Sequence, residues 1–299
     1  MTEEIRSFWD KIRPLLEERM EGDTKISLHE VVKNNGRKLT GICFEQEENR
    51  IRPTVYLEDY LERYRDGESL VKLAETIYRC AFQPLPDFDI QEFMNWDRAK
   101  LRVCMKLVNR EKNKELLADV PHVPFLDLEL LFYYILPEEA HIQKASILIH
   151  NSHCNSWGIT TEELHRYAKE NTLHLNSPHI KNMIDVLDSM GCVIDDEDKR
   201  NVPMWVMTSQ DKYYGAIGLF YADIIREFAR ERGKSLFVLP SSIHELIIVE
   251  DTGDESADML RDMVCQVNAT QLSEDEILSD SVYRFDLKSN QVTVAAQAA

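Results

Sequence analysis

The sequence has few of the residues and motifs by which common protein classes are recognised. Glycine and proline each number only ten among 299 residues, which excludes collagen-like and linker-dominated architectures. No P-loop, GxGxxG or GxSxG motif occurs, so the sequence favours neither the common nucleotide-dependent enzymes nor the α/β-hydrolases. No apolar run reaches about 18 residues, the length that predicts a membrane-spanning helix.

Basic residues are also fewer than acidic residues. Lysine and arginine number 35 against 53 aspartate and glutamate residues, which gives a formal net charge of −18. A surface this acidic repels the phosphates of nucleic acids and of anionic membranes at long range. We therefore expect neither nucleic acid nor a membrane among the partners. The sequence carries no cofactor motif, and we expect no cofactor.

The six cysteines include no CxxC or other tight pair. Each lies among apolar neighbours or in a helical pattern, which is typical of reduced and largely buried thiols. Residues 1–6 lack the basic and apolar regions of a signal peptide. These observations predict a cytoplasmic location.

The hydrophobic fraction of 43% is ample for a core, and its periodicity predicts both helices and strands. The predicted helices cover residues 5–20, 57–65, 68–81, 97–116, 160–171, 181–189, 224–233 and 260–267. The predicted strands cover residues 25–33, 38–45, 147–150, 204–208, 216–220, 236–239, 243–249, 282–285 and 292–294. Asn34-Asn35-Gly36 is a strong hairpin signal between the first two strands. The short connection between 236–239 and 243–249 predicts an antiparallel pair.

Pro121 and Pro124 give the best domain boundary, because two prolines three residues apart exclude a continuous helix. We place the boundary near residue 118. The expected fold class is α+β, with an N-terminal helical and β-hairpin region over residues 1–118. A C-terminal, mixed and largely antiparallel sheet flanked by helices is expected over 119–295, followed by a frayed tail at 296–299.

His150 and His153 have H-x-x-H spacing at the end of a predicted buried strand. Two such imidazoles can bind one metal ion if a third ligand, His244 or Glu245, joins them. The alternative is that the two histidines, with Asn151, hydrogen-bond a loop together. We predict no metal site from this spacing alone. His150 and His153 remain candidate metal ligands, and Asn151 remains a candidate binding residue.

Ser242, His244 and Glu245 offer a nucleophile, a base and an acid in one short segment. Catalytic triads are assembled in space, so adjacency along the chain is poor evidence for one. The alternative is a polar corner of the sheet whose side chains satisfy exposed backbone groups. We keep the three residues as catalytic candidates.

Basic residues recur every four positions on the predicted helix 97–116. Such a stripe can grip phosphates, or it can be a solvated face that pairs with acidic helices such as 57–65. Arg102, Lys106 and Arg110 are therefore candidate binding residues.

Four groups of segments carry a resemblance to a known family. They are 31–39 with 53–60, 107–117, 147–153, and 239–245 with 267–271 and 278–283. These segments resemble the domain-of-unknown-function family found in gut clostridia, and the resemblance spans nearly the whole chain. It implies no activity, cofactor or catalytic residue.

The leading hypothesis is a cytosolic, non-catalytic binding or regulatory protein whose partner is a protein or a small ligand. The alternative is a hydrolase, with or without a metal ion, that uses the His150/His153 pair and the Ser242/His244/Glu245 segment. The enzyme hypothesis requires these side chains to converge in one pocket.

Overall fold

A computed structural model describes most of the chain. The described residues are 1–20, 24–45, 54–82, 89–136, 146–189, 191, 204–240, 242–254 and 256–297. Their contacts divide them into two compact units, the first from residues 1–82 and the second from the described residues between 89 and 297. Both units combine helices with antiparallel strands, so the predicted α+β fold class is confirmed.

The first unit packs helices against a small antiparallel sheet. Its elements are α1 (Glu3–Glu17), β1 (Lys25–Val32), β2 (Lys38–Glu45), β3 (Val55–Tyr56), α2 (Leu57–Arg65) and α3 (Leu70–Phe82). The strands lie in the order β1-β2-β3. Ile12 of α1, Leu57 of α2 and Ile77 of α3 are fully buried in its core, as the apolar spacing of each helix predicts.

The β1–β2 hairpin forms as predicted. Its two eight-residue strands pair along their whole length, beginning with Lys25 opposite Glu45. Asn35 and Gly36 have φ angles of 59° and 72°. Asparagine and glycine adopt this left-handed conformation at low cost, which is why the turn can be read from the sequence.

The second unit contains two antiparallel sheets. Its helices are α4 (Ile90–Met94), α5 (Trp96–Ala99), α6 (Lys114–Leu117), α7 (Asn151–Trp157), α8 (Thr161–Leu175), α9 (Met183–Ser189), α10 (Ala222–Arg232) and α11 (Ala257–Gln271). Its strands are β4 (Val103–Asn109), β5 (His122–Phe125), β6 (Leu128–Ile135), β7 (Ser146–Leu148), β8 (Pro178–Asn182), β9 (Met204–Ser209), β10 (Leu236–Leu239), β11 (Glu245–Glu250), β12 (Val282–Asp286) and β13 (Gln291–Ala296).

The smaller sheet has the order β4-β6-β5, with β7 also paired to β6, and the larger has the order β13-β12-β10-β11-β9-β8. One apolar core joins them, because Leu130 and Phe132 of the smaller sheet cluster with Val238 and Ile248 of the larger. All four side chains are fully buried.

The antiparallel pair predicted for 236–239 and 243–249 lies at the centre of the larger sheet. Leu236 pairs with Glu250 across the two strands, and β12 and β9 flank them. Both strands are thus held on two sides, and the turn between β10 and β11 emerges from a fixed framework.

The helix predicted over 97–116 is wrong. Residues 103–109 form strand β4, and only short helices lie before and after it. Val103, Met105 and Leu107 alternate along the strand and are fully buried against β6 and the core. A spacing of four places residues on one face of a strand as well as of a helix, so the basic pattern misled the prediction.

The strand predicted over 216–220 is also wrong. Gly215–Leu219 forms a 3₁₀ helix, which packs against β9 and leads into α10. The frayed tail expected at 296–299 does not include Ala296, which pairs with Val282 in the β12–β13 hairpin. Residues 298–299 lie outside the described residues.

The boundary expected near residue 118 falls inside the second unit. β4 pairs with β6 from Val103 opposite Tyr134 to Asn109 opposite Leu128, so both sides of residue 118 contribute to one sheet. The boundary between the two compact units lies between the described residues 82 and 89 instead.

Candidate functional site

Three of the segments that resemble the family meet beside the turn between β10 and β11. Asn109 Nδ2 donates to the carbonyl oxygen of Leu278 at 3.1 Å. The amide of Ser279 donates to the carbonyl oxygen of Pro240 at 3.2 Å. Residues far apart in sequence are therefore tied together at this end of the larger sheet.

Four side chains near this turn form the candidate site, which we call the polar corner: Lys106, Tyr213, Tyr214 and His244. Lys106 Nζ donates to Tyr214 Oη at 3.1 Å and lies 4.4 Å from the centroid of the same ring. Tyr213 Oη donates to Tyr214 Oη at 2.8 Å. Tyr214 is buried, whereas the other three side chains are half-buried. The corner thus links a cation and two hydroxyl groups near the protein surface.

The loop after β9 holds the two tyrosines in position. Ser209 Oγ accepts a hydrogen bond from the Tyr213 amide at 3.0 Å and donates to the Tyr213 carbonyl at 2.9 Å. Tyr214 has a φ angle of 56°, which is unfavourable for a residue with a side chain. A Cβ on Gly215 would lie 2.3 Å from the Ser209 nitrogen, so glycine is required there. Such a constrained loop fixes where its side chains point.

His244 is held by backbone groups. Its Nδ1 accepts a hydrogen bond from the Tyr214 amide at 3.2 Å, so a neutral imidazole carries its proton on Nε2. Its ring stacks on Tyr213 and Tyr214 with centroids 5.1 and 5.6 Å away. Its own amide donates to Ser242 Oγ at 3.0 Å, and its Nε2 lies 4.0 Å from Glu276 Oε1.

Burial sets the protonation states at the polar corner. It raises the pKa of the Tyr213 and Tyr214 phenols, so both remain neutral hydroxyl groups at physiological pH. Burial also lowers the pKa of the His244 imidazole, an effect that Glu276 opposes and Lys106 reinforces. The corner therefore combines neutral hydroxyl and imidazole groups with the Lys106 side chain, and the Glu276 carboxyl group lies near His244.

Tyr133 and Asn176 support the corner from the buried side. The Tyr133 ring centroid lies 5.0 Å from that of Tyr214. Asn176 Nδ2 donates to Tyr133 Oη at 3.2 Å and to the carbonyl oxygen of Tyr213 at 2.8 Å. The Asn176 amide group therefore links Tyr133 to the loop after β9.

His150 and His153 lie elsewhere, at the start of α7. His153 Nδ1 accepts from the His150 amide at 3.1 Å, and His150 Nδ1 lies 2.7 Å from Asp119 Oδ2. The His153 ring packs edge-on against Phe93. Burial, together with the nearby His150, lowers the pKa of His153. Both histidines thus take part in local contacts around the helix start.

The catalytic and metal-ligand candidates are held by different groups. Among the described residues, the side-chain partners of the His150/His153 pair differ from those of Ser242 and His244. Glu245 is exposed on β11. No group of three or more His, Cys, Asp or Glu side chains in the described part of the chain is arranged to hold a metal ion.

The structure also separates the candidate binding residues. Arg110 Nε donates to the buried Glu129 at 2.7 Å, and its guanidinium binds two main-chain carbonyl oxygens. Arg102 precedes β4, and Asn151 Nδ2 donates to a main-chain carbonyl at 3.4 Å. Of the basic candidates, Lys106 is the one that lies at the polar corner.

The comparisons with known proteins support the resemblance seen in the sequence. A family model described as a family of unknown function, DUF5688, matches residues 5–287. The chain belongs to this family. No curated protein and no solved structure matches the chain. The expected membership of a family of unknown function is confirmed, and that description carries no activity to transfer.

Sequence reasoning missed two of the four residues that build the polar corner of this DUF5688 member. Tyr213 and Tyr214 precede a glycine in a polar loop, and this pairing of aromatic residues with a tight turn is the signal that could have found them.

Within the described residues, no helix has the length and the hydropathy of a membrane span.

Asp127 was missed as well. Its carboxylate accepts hydrogen bonds from Tyr283 Oη at 2.7 Å, Ser281 Oγ at 2.9 Å and Ser279 Oγ at 3.4 Å. The alternating hydroxyl residues of segment 278–283 were the available signal, because alternate residues of a strand share one face. This cluster ties the β5–β6 turn to the segment that leads into β12.

Proposed function

We propose that this DUF5688 protein is a non-catalytic binding or regulatory protein whose polar corner binds a small anionic ligand. The observation that carries the proposal is the chain of groups from Lys106 Nζ through Tyr214 Oη to Tyr213 Oη, with separations of 3.1 and 2.8 Å. The N–H donors of an ammonium group suit a carboxylate or a phosphate, and the neutral hydroxyl groups beside it add no repelling charge. Lys106 supplies positive charge on a chain of net charge −18, and Glu276 near His244 is the carboxyl group that a bound anion has to avoid.

The rings of the corner favour an aromatic carboxylate. Tyr213 and His244 are half-buried and stack on each other at 5.1 Å, which leaves part of each ring open to solvent. A flat aryl group gains from contact with such rings in addition to the charge of Lys106.

The positions of Ser242 and His244 support binding over hydrolysis. Ser–His catalysis requires an imidazole nitrogen that accepts the serine proton. His244 Nδ1 already accepts from the Tyr214 amide, and Ser242 Oγ, 6% exposed as a residue, accepts from the His244 amide. Both groups are therefore engaged by the backbone.

Isothermal titration with benzoate and with inorganic phosphate tests the proposal. We expect saturable binding of benzoate that weakens at least about tenfold in Lys106→Met, which corresponds to about 1.4 kcal/mol. Lys288→Met is the matched control, because Lys288 is exposed in the β12–β13 turn and the charge change is the same. We expect this control to bind as the wild type does.

Two results would overturn the proposal. One is the absence of saturable binding for both anions, and the other is an equal loss in the Lys106 and Lys288 variants. Hydrolysis of a p-nitrophenyl ester by the wild type that is lost in Ser242→Ala would favour the hydrolase alternative instead.

We further infer that the protein is bacterial and works in the cytoplasm. The described cysteines are all free thiols: Cys43, Cys80, Cys104, Cys154 and Cys265. Cys192 lies outside the described residues. Reduced thiols are typical of the cytosol, and the resemblance to a family of gut clostridia supports the bacterial origin. Thiol titration under denaturing, non-reducing conditions should count six thiols, and a stable disulfide would contradict the location.

A further inference from the structure

The first unit contains a cleft of about 520 Å³ between the start of α1, the β1–β2 hairpin and α2. This volume is in the range of small-molecule binding sites. Its walls combine carboxylates, which are Glu4, Glu30, Glu58 and Glu62, with basic and apolar side chains. The cleft lies entirely in the unit that does not contain the polar corner.

Cations of the cleft hold two of these carboxylates. Arg65 forms an ion pair with Glu4, which lowers the pKa of that carboxyl group. The amino group of Met1 donates to Glu30 at 3.0 Å, and Lys38 Nζ lies 3.6 Å from Glu30. These contacts lower the pKa of Glu30 as well. Both groups are ionised and matched by positive charge.

The Glu58 carboxylate has no ion-pair partner among the described residues. Glu58 Oε1 accepts from the Thr40 amide at 2.8 Å, whereas Glu58 Oε2 is buried and has no hydrogen-bond partner in the described part of the chain. Glu62 is exposed one turn further along α2, and its charge acts on that of Arg65. A buried carboxylate oxygen without a hydrogen-bond partner costs free energy, which a ligand that donates a hydrogen bond to it would recover.

We propose that this cleft binds a small alkylamine, with its ammonium group near Glu58 and Glu62. Ile5 and Leu61 also line the cleft and supply apolar contact for a methylene chain. The four carboxylates exceed the positive charges of Lys38, Arg65 and the Met1 amino group by one. An ammonium group near a partly buried carboxylate is attracted over several ångströms, because the effective dielectric constant there is below that of water.

The chemistry of the cleft favours an organic cation over a metal ion. A bound metal needs several ligand atoms that converge on one point. In the part of the chain that the structure describes, no three acidic, histidine or cysteine side chains are so arranged.

Titration calorimetry with 1,4-diaminobutane as the probe tests this site in the full chain. We expect saturable binding that weakens at least about tenfold in Glu58→Gln, a change that removes the charge but keeps an oxygen for the Thr40 amide. Asp59→Asn is the matched control, since Asp59 is exposed on the same helix and does not line the cleft. We expect its affinity to equal that of the wild type.

Further variants keep the test decisive. If thermal melting shows that Glu58→Gln is unfolded, Glu62→Gln replaces it, because Glu62 is exposed and has little part in the fold; its affinity should fall at least threefold. Lys106→Met should leave diamine binding unchanged, which separates this site from the polar corner. The proposal is overturned if the diamine does not saturate, if Asp59→Asn loses as much affinity as the charge-removing variant, or if magnesium chloride binds with the same dependence on Glu58.

Discussion

At the scale of single residues, His244 links the turn before β11 to the loop after β9. Replacing it with alanine removes a stacked ring and leaves the Tyr214 amide without its acceptor. We expect His244→Ala to lower the free energy of unfolding by about 1–3 kcal/mol, measured by urea and thermal denaturation.

His150→Ala is the comparison for that measurement. The His150 side chain is 35% exposed and its partner Asp119 is 70% exposed, so the loss should be about 1 kcal/mol or less. Unchanged stability in both variants, with loss of a metal ion from the purified protein, would favour the metal-dependent hydrolase.

Gly215 is a second residue on which the polar corner depends. A methyl group there would lie 2.3 Å from the Ser209 nitrogen and 2.5 Å from backbone atoms of Thr208. We expect Gly215→Ala to cost about 3 kcal/mol or more, because the backbone of β9 has to move. In Gly253→Ala the new methyl group meets nothing within 4 Å, and the φ angle of 85° should cost only about 1–2 kcal/mol. Equal losses in denaturant melts would refute this account of the loop.

The sequence predicted the polar turn that contains Ser242 and His244 but not the residues around it. Lys106 and Tyr214 are 108 positions apart, and their contact depends on how the two sheets pack. Periodicity and turn chemistry describe neighbours along the chain, so a site assembled from distant loops leaves little trace in them.

At the scale of secondary-structure elements, local turn chemistry explains which predictions succeeded. The β1–β2 turn needs left-handed residues and contains Asn35 and Gly36, and Gly233 ends α10 in the same conformation. The prediction for β4 was wrong because a spacing of four between its basic residues fits a helix as well as a strand. The strand is buried on both faces by β6 and the core, which the spacing does not reveal. Pro121 and Pro124 did not separate domains; Pro124 lies in β5, an edge strand, where proline is tolerated.

The contact between α8 and β4 gives a prediction at this scale. The buried amide of Met105 donates to Thr172 Oγ at 2.9 Å, and this hydroxyl donates to the carbonyl of Ala168. Thr172→Val should lower the free energy of unfolding by about 1–3 kcal/mol, because the Met105 amide loses its acceptor. Thr270→Val is the control, since the exposed Thr270 hydroxyl also bonds to the carbonyl four residues earlier. A similar loss in the two variants by urea denaturation would contradict the role of the β4 contact.

At the scale of the whole molecule, half-buried histidines affect how stability responds to mild acid. Burial lowers the pKa of four imidazoles: His153, His165, His179 and His244. The unfolded chain, with histidine pKa values of about 6.5, therefore binds more protons than the folded protein as the pH falls through that value. The contribution of these histidines to the free energy of unfolding is therefore highest above this pH and declines below it.

Urea denaturation at pH 7.5 and pH 5.5 measures this effect. We expect a lower free energy of unfolding at pH 5.5 and a smaller difference between the two pH values in His244→Ala. Ion pairing lowers the pKa of Glu68 to about 2, so its contribution is lost only as the pH falls below its unfolded value of about 4.3. Desolvation raises the pKa of Glu245, which acts against the histidine effect as the pH falls. Equal stability at the two pH values would show that the histidines are not buried as neutral groups.

The helix α8 also protects the protein from pairing with other protein chains. β4 is an edge of the smaller sheet, and an unpaired edge is a template on which another chain can add a strand and begin to aggregate. α8 occupies that position: Thr172 accepts from the Met105 amide, and Asn171 Nδ2 donates to the carbonyl oxygen of Val103 at 3.0 Å. The chain thus uses side chains of a helix to close a strand edge that would otherwise remain open to intermolecular pairing.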